Sequence, residues 1–159
     1  MDGFVSHYTM RLDSKGRISI PAPFRAALAR EGFSGLYCYP ALDRPALEAG
    51  GKALLAEIEA MITHFALYTE ERQRIATALY GTGEMLRIDP EGRVALPEPL
   101  KSHAGVANAV TFVGLGNKFQ IWEPKRFQSE LAEATAKVRA VKKQLEAELA
   151  VPKAQGAGE

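Results

Sequence analysis

The sequence predicts a mixed α+β fold with a pseudo-two-fold, β-rich core and helices at its periphery. Three observations predict it. First, the stretch Asp13-Ser-Lys-Gly-Arg-Ile-Ser-Ile-Pro21 returns as Asp89-Pro-Glu-Gly-Arg-Val-Ala-Leu-Pro97, with Arg11-Leu12 facing Arg87-Ile88 upstream and Phe24-Arg25 facing Leu100-Lys101 downstream. Second, the strands in each copy are too short to bury a face alone, so each copy needs the other. Third, apolar residues at three- and four-residue steps fill the segments between and after the copies.

The elements follow in order. Phe4 to Leu12 is a strand, although Ser6 and Thr9 blur its alternation. Asp13 opens a tight turn, where a carboxylate can accept from backbone N–H groups two residues on. Gly16 supplies the positive φ that such a turn needs. Arg17 to Ile20 is the returning strand, which Pro21 ends. Pro23 suits the first turn of a helix to Glu31, with Phe24, Ala27 and Leu28 inward. Leu36 to Tyr39 is a buried strand. Ala46 to Glu48 is a weaker one, because Pro45 precedes it.

Two connecting helices come next, Lys52 to Phe65 and one capped by Thr69 with Glu70 and Glu71 in its first turn. They belong to neither copy and should pack across both. The second copy repeats the pattern through Asp89, Gly92 and Pro97, then adds strands over Val110 to Trp122, of which Lys118 to Trp122 is the better. Pro124 opens a helix to about Leu149, with Phe127, Leu131, Val138, Val141, Leu145 and Leu149 on one stripe that serves as core or as a seam with a second subunit. Residues 152–159 should be disordered. The expected organisation is therefore a first repeat over 4–51, a helical connector over 52–80, a second repeat over 81–124, a C-terminal helix over 125–150 and a tail over 151–159.

Composition limits the function classes. Twenty basic and nineteen acidic residues leave a net charge of +1, so the chain has no global cationic footprint. Any nucleic-acid binding must come from local charge or from assembly. The lone Cys38 lies in an apolar run and should pack as a small hydrophobe. No signal peptide or membrane-spanning run is visible, so a cytoplasmic protein is expected. His7, His64 and His103 are isolated, and no catalytic, metal-binding or phosphate-loop motif is present. The expectation is no enzyme, no cofactor, no metal and no small-molecule substrate.

Three segments carry a family resemblance: Leu12 to Pro21, Ile88 to Pro97, and Phe112-Val-Gly-Leu-Gly-Asn-Lys-Phe-Gln-Ile-Trp122. Together they resemble the paired SpoVT/AbrB-like repeats of the MraZ family, bacterial DNA-binding regulators of the cell-division and cell-wall gene cluster. The resemblance runs from about Phe4 into the helix after Pro124. It implies swapped-hairpin modules that complete each other into a β-barrel-like core. It also implies a ring-shaped homo-oligomer on promoter direct repeats of double-stranded DNA, most often as a repressor, associated with the nucleoid.

The candidate DNA-contacting residues are Arg11, Lys15, Arg17, Arg87 and Arg93, because turns project side chains and arginine can fork onto guanine or phosphate. Asp13, Gly16, Asp89 and Gly92 are candidates for holding the turns. Glu91 stands where the first copy has Lys15, so the second turn is less cationic. For Arg17 nucleic-acid contact is favoured over bracing Asp13, whereas for Arg93 contact and a brace for Asp89 are equally open. Two other functions stay open on the residues alone: an AbrB-like adaptor oligomer that binds protein, and an antitoxin-like module, for which the tail is short.

Overall fold

The computed structural model describes residues 3–158, with side chains for residues 3–150. The elements run β1 (His7–Arg11), β2 (Arg17–Ser19), α1 (Ala22–Arg30), β3 (Gly35–Pro40), β4 (Leu47–Gly50), α2 (Lys52–Thr63), α3 (Glu70–Ala76), β5 (Glu84–Arg87), β6 (Arg93–Ala95), α4 (Glu98–Ala104), β7 (Ala109–Gly114), β8 (Phe119–Trp122) and α5 (Pro124–Gly158). A π-helical turn, Thr77–Gly81, extends α3.

The fold is mixed α+β around a six-stranded antiparallel sheet of order β1-β7-β8-β4-β3-β5. A second, two-stranded sheet pairs β2 with β6. Four pairings join one copy of the repeat to the other: β1 to β7, β4 to β8, β3 to β5 and β2 to β6. The expected barrel does not close. Among the described strands, β1 and β5 pair on one side only. The cause is local: the turns after Leu12 and Ile88 lead the chain out of the large sheet into β2 and β6. These strands span three residues each and pair only with one another.

β1 is shorter than its alternation suggests. Ser6 sits at φ 70°, which breaks the strand. Phe4 pairs separately with Gly116, through Phe4 N–H to Gly116 O at 2.7 Å and Gly116 N–H to Phe4 O at 2.8 Å. β4, expected to be weak, is buried along its whole length between β3 and β8. Pro45 does no harm because it lies before the strand, in a turn closed by Ala41 N–H to Ala46 O at 2.9 Å.

Ile18, Ile20, Val94 and Leu96 put the apolar positions of both returning strands into one core with Leu28, Leu36, Leu47, Leu100 and Val110. Phe24 is its centre, with Phe4 at 5.3 Å and Phe119 at 5.0 Å between ring centroids. Burying such a ring contributes roughly 1.5–3 kcal/mol. Cys38 is fully buried, which pushes its thiol well above the usual range, and packs as a small hydrophobe.

The connector makes a smaller cluster of Leu54, Ile58, Ile62 and Leu79 on Tyr37 and Tyr39 of β3. Tyr37 Oη donates to Leu79 O at 2.6 Å, and burial raises its phenol to about 12. Thr69 caps α3 by accepting from Arg72 N–H at 3.3 Å.

Chain contacts separate a body ending at Pro124 from the α5 segment that begins at Lys125. The helical backbone of α5 continues past Leu149, where the apolar spacing stops, to Gly158. Leu131, Val138, Val141, Leu145 and Leu149 are exposed, and Lys137–Glu133 at 2.8 Å and Lys142–Glu146 at 3.0 Å run along the helix. No described helix is long and apolar enough to cross a membrane.

Candidate nucleic-acid interface

The two Asp-x-x-Gly-Arg turns share one backbone design. In the first, Asp13 Oδ1 accepts from the N–H groups of Lys15 and Arg17, both at 2.9 Å. Asp13 N–H bonds Arg17 O at 2.9 Å, and Gly16 N–H bonds Asp13 O at 3.0 Å. In the second, Asp89 Oδ1 accepts from Glu91 N–H at 3.0 Å and Arg93 N–H at 2.9 Å, with the same two backbone closures at 2.9 Å. Gly16 lies at φ 76° and Gly92 at φ 80°, a region that a Cβ disfavours. The motif is a local machine for turning a strand: carboxylate, left-handed glycine, then an arginine pointed back at the carboxylate.

That last contact is also shared. Arg17 Nε donates to Asp13 Oδ2 at 2.8 Å, and Arg93 Nε donates to Asp89 Oδ2 at 2.9 Å. Both carboxyls are held below the ordinary carboxylate value, chiefly by the arginine's own backbone N–H and then by its side chain, against an opposing cost of desolvation.

The charges around the turns differ. Among the described residues Arg17 makes no ion pair beyond Asp13, and Arg11, Lys15 and Arg87 make none at all. Arg93 is enclosed instead. Its Nη2 meets Glu91 Oε2 at 3.1 Å and its Nη1 lies 3.8 Å from Asp13 Oδ2 across the β2–β6 pair, so three carboxylates share one guanidinium. Its affinity for its proton rises accordingly, first through the Asp89 bond.

The structure gathers Arg11, Asp13, Lys15 and Gly16 around an open cleft of about 580 Å³ that Lys101 and Asn108 also line. Arg87 ends β5 opposite Gly35, exposed and outside that cleft. Lys101 was not among the residues singled out from the sequence, and neither was Arg25. Each comes from the short helix of one copy and stands over the glycine of the other. A Cβ on Gly16 would lie 4.0 Å from Lys101 Nζ, whereas a Cβ on Gly92 would overlap the Arg25 guanidinium. The only signal available was their matched position in the repeat.

The Asn-Lys-Phe-Gln-Ile-Trp run does structural work. Buried Glu48 of β4 accepts from Gln120 Nε2 at 3.0 Å and faces Lys118 Nζ at 3.5 Å. Gln120 Oε1 in turn accepts from Trp122 Nε1 at 2.8 Å. Lys118 and Asn117 also reach Glu57 of α2, at 3.4 and 3.2 Å. Among the described residues no three His, Cys, Asp or Glu side chains are grouped to hold a metal.

Comparison with known proteins adds to this geometry. A family model described as "MraZ protein, putative antitoxin-like" matches residues 79–147. The chain is also 62% identical over 145 residues to the "Transcriptional regulator MraZ" of Azorhizobium caulinodans, covering 91% of this chain and 92% of that one. The chain belongs to the MraZ family. Like-named relatives from Xanthobacter autotrophicus, 61% identical over 87% of this chain and 88% of theirs, and Methylocella silvestris, 56% identical over 97% and 94%, extend the match. At 154 residues the Methylocella match is long enough to span both Asp-x-x-Gly-Arg turns, whereas the family model spans only the second.

Proposed function

We propose that this MraZ-family chain is a sequence-specific, DNA-binding transcriptional regulator, acting in the cytoplasm on the nucleoid and reading the duplex through its first turn. The observation that carries the reading is the charge state of that turn. Lys15 and Arg11 are exposed without ion pairs among the described residues, and Arg17 is aimed through its Nε by Asp13, its one ion-pair partner among them. In this reading Arg11 and Lys15 meet phosphates and Arg17 reads a base edge. Arg87 adds a backbone contact, and Arg93 braces the second turn. The relatives' name, transcriptional regulator, supports the class.

The same reading takes the two copies as related by a pseudo-two-fold axis. Exchanging β1 with β5, β2 with β6, β3 with β7 and β4 with β8 turns the strand order into itself, which supports it. It also requires assembly. A chain of net charge +1 gains useful affinity when a ring repeats its basic turn along direct repeats. Repression of a cell-division and cell-wall cluster is the regulatory outcome this reading expects.

The test is a gel shift with DNA from upstream of the native gene beside a scrambled duplex, paired with light scattering at micromolar protein. The expected results are a preferred upstream fragment and a mass several times the 17.3 kDa of the chain. Equal affinity for both duplexes would remove sequence reading. A clean monomer would remove the ring.

A further inference from the structure

We propose that Lys101 is a DNA phosphate ligand. Reaching from α4 of the second copy to the turn of the first, it completes a cationic cleft for one backbone phosphate, while Arg25 fills the matching place at the second turn. This rests on the reading that the chain binds DNA.

Charge and access carry the argument. The cleft brings Arg11, Lys15 and Lys101 around one volume of about 580 Å³. The single carboxylate on its wall, Asp13, is already engaged by two backbone N–H groups and by Arg17 Nε. Lys101 itself is weakly held. Among the described residues its ion-pair partner is Glu98, 3.8 Å away, whose side chain is 83% exposed. A pair this long, with its carboxylate open to solvent and the Lys101 side chain 24% exposed, is worth little and exchanges readily for a phosphate. Gly16 leaves the approach open, since even an added Cβ would meet nothing nearer than Lys101 Nζ at 4.0 Å.

The second turn lacks each of these properties. Gly92 is buried beneath the Arg25 guanidinium. Glu91 occupies the place of Lys15 and ties down Arg93. The two copies thus exchange cations, Arg25 over one glycine and Lys101 over the other, with opposite results. Each subunit then offers the duplex one phosphate cleft rather than two.

The test uses the full chain in its assembled form, with fluorescence anisotropy on the upstream duplex and on a scrambled duplex between about 50 and 200 mM salt. Lys101→Gln should weaken both duplexes by the same factor. The slope of log affinity against log salt should become shallower by about 0.9 per bound subunit, because one fewer counterion is released. Preference for the upstream duplex, melting temperature and assembled mass should not change. Lys101→Arg, which keeps the charge, should retain the slope. An unchanged slope in Lys101→Gln, with the unsubstituted protein binding normally, overturns the inference and leaves the DNA reading intact. Equal losses in the Gln and Arg variants assign Lys101 to structure and also overturn it. An unsubstituted protein that binds neither duplex removes the DNA reading and this inference together.

Discussion

The first and second turns are the same object in backbone and different objects in charge. Both close through an aspartate that accepts two N–H groups and one arginine Nε, and both need a glycine at positive φ. Yet one turn leaves Lys15 exposed, and the other puts Glu91 there to engage Arg93. A motif that shapes a loop fixes where the third residue points, and the third residue then decides what the loop does. Counting the repeated motif would assign two equal DNA contacts per chain. Counting the carboxylates around each arginine supports the proposed reading of one reader and one brace.

The largest expected difference therefore lies between Arg17→Ala and Arg93→Ala. Losing Arg17 should remove about 1–3 kcal/mol per base contact, and more across an assembly where every subunit loses it. Specific binding should collapse, with assembled mass kept and a modest drop in melting temperature from the lost Asp13 bond. Arg17→Lys should not restore it, since an ammonium cannot make the planar double contact. Losing Arg93 should do the reverse. Asp89, Glu91 and Asp13 would be left facing one another, so the melting temperature falls while preference for the upstream duplex persists. An Arg93→Ala protein with normal melting and no DNA preference would invert the assignment.

A smaller contrast separates the glycines. Any Cβ at φ 76° or 80° costs about 1 kcal/mol, which is the expected loss for Gly16→Ala in a denaturant titration. Gly92→Ala should lose roughly twice that, because the Arg25 guanidinium must also be displaced. Adding Arg25→Ala to Gly92→Ala should recover the excess. Equal losses at the two glycines would mean that Arg25 does not cover the second turn in solution.

The parts of this picture that could be read from the sequence are local ones. Asp13, Gly16 and Arg17 act within one turn, so their spacing alone predicts the carboxylate bonds and the positive φ. Pro21 and Pro97 end their strands for reasons internal to the residue. What the sequence hid depends on distant neighbours. β4 is secured by β3 and β8, which no reading of Pro45 could show. Glu48 and Gln120 meet across 72 positions of chain. The expected barrel came from the family resemblance, whereas the three-residue lengths of β2 and β6 leave the large sheet open. Arg25 and Lys101 were visible as a matched pair of cations, but their exchange over opposite glycines follows only from the way the copies interleave.

The smallest effect is one in which the two turns should agree, and it tests whether their difference is confined to the third residue. Asp13 and Asp89 accept the same three bonds, and both titrate below their ordinary value of 3.8. A depressed folded value means that the unfolded chain takes up these protons first as pH falls. The stability they contribute is fully present above about pH 4 and is lost as pH drops from there through the folded values. The melting temperature should thus be insensitive to these two groups near neutrality and fall in acid. Asp13→Asn and Asp89→Asn should each start lower at pH 7 and show a shallower acid decline, by similar amounts. Their double variant should show a decline shallower still, since the two carboxyls titrate in separate turns. If one aspartate accounts for the whole acid dependence, the turns differ in their backbone bonds as well, and the contrast drawn from Lys15 and Glu91 is incomplete.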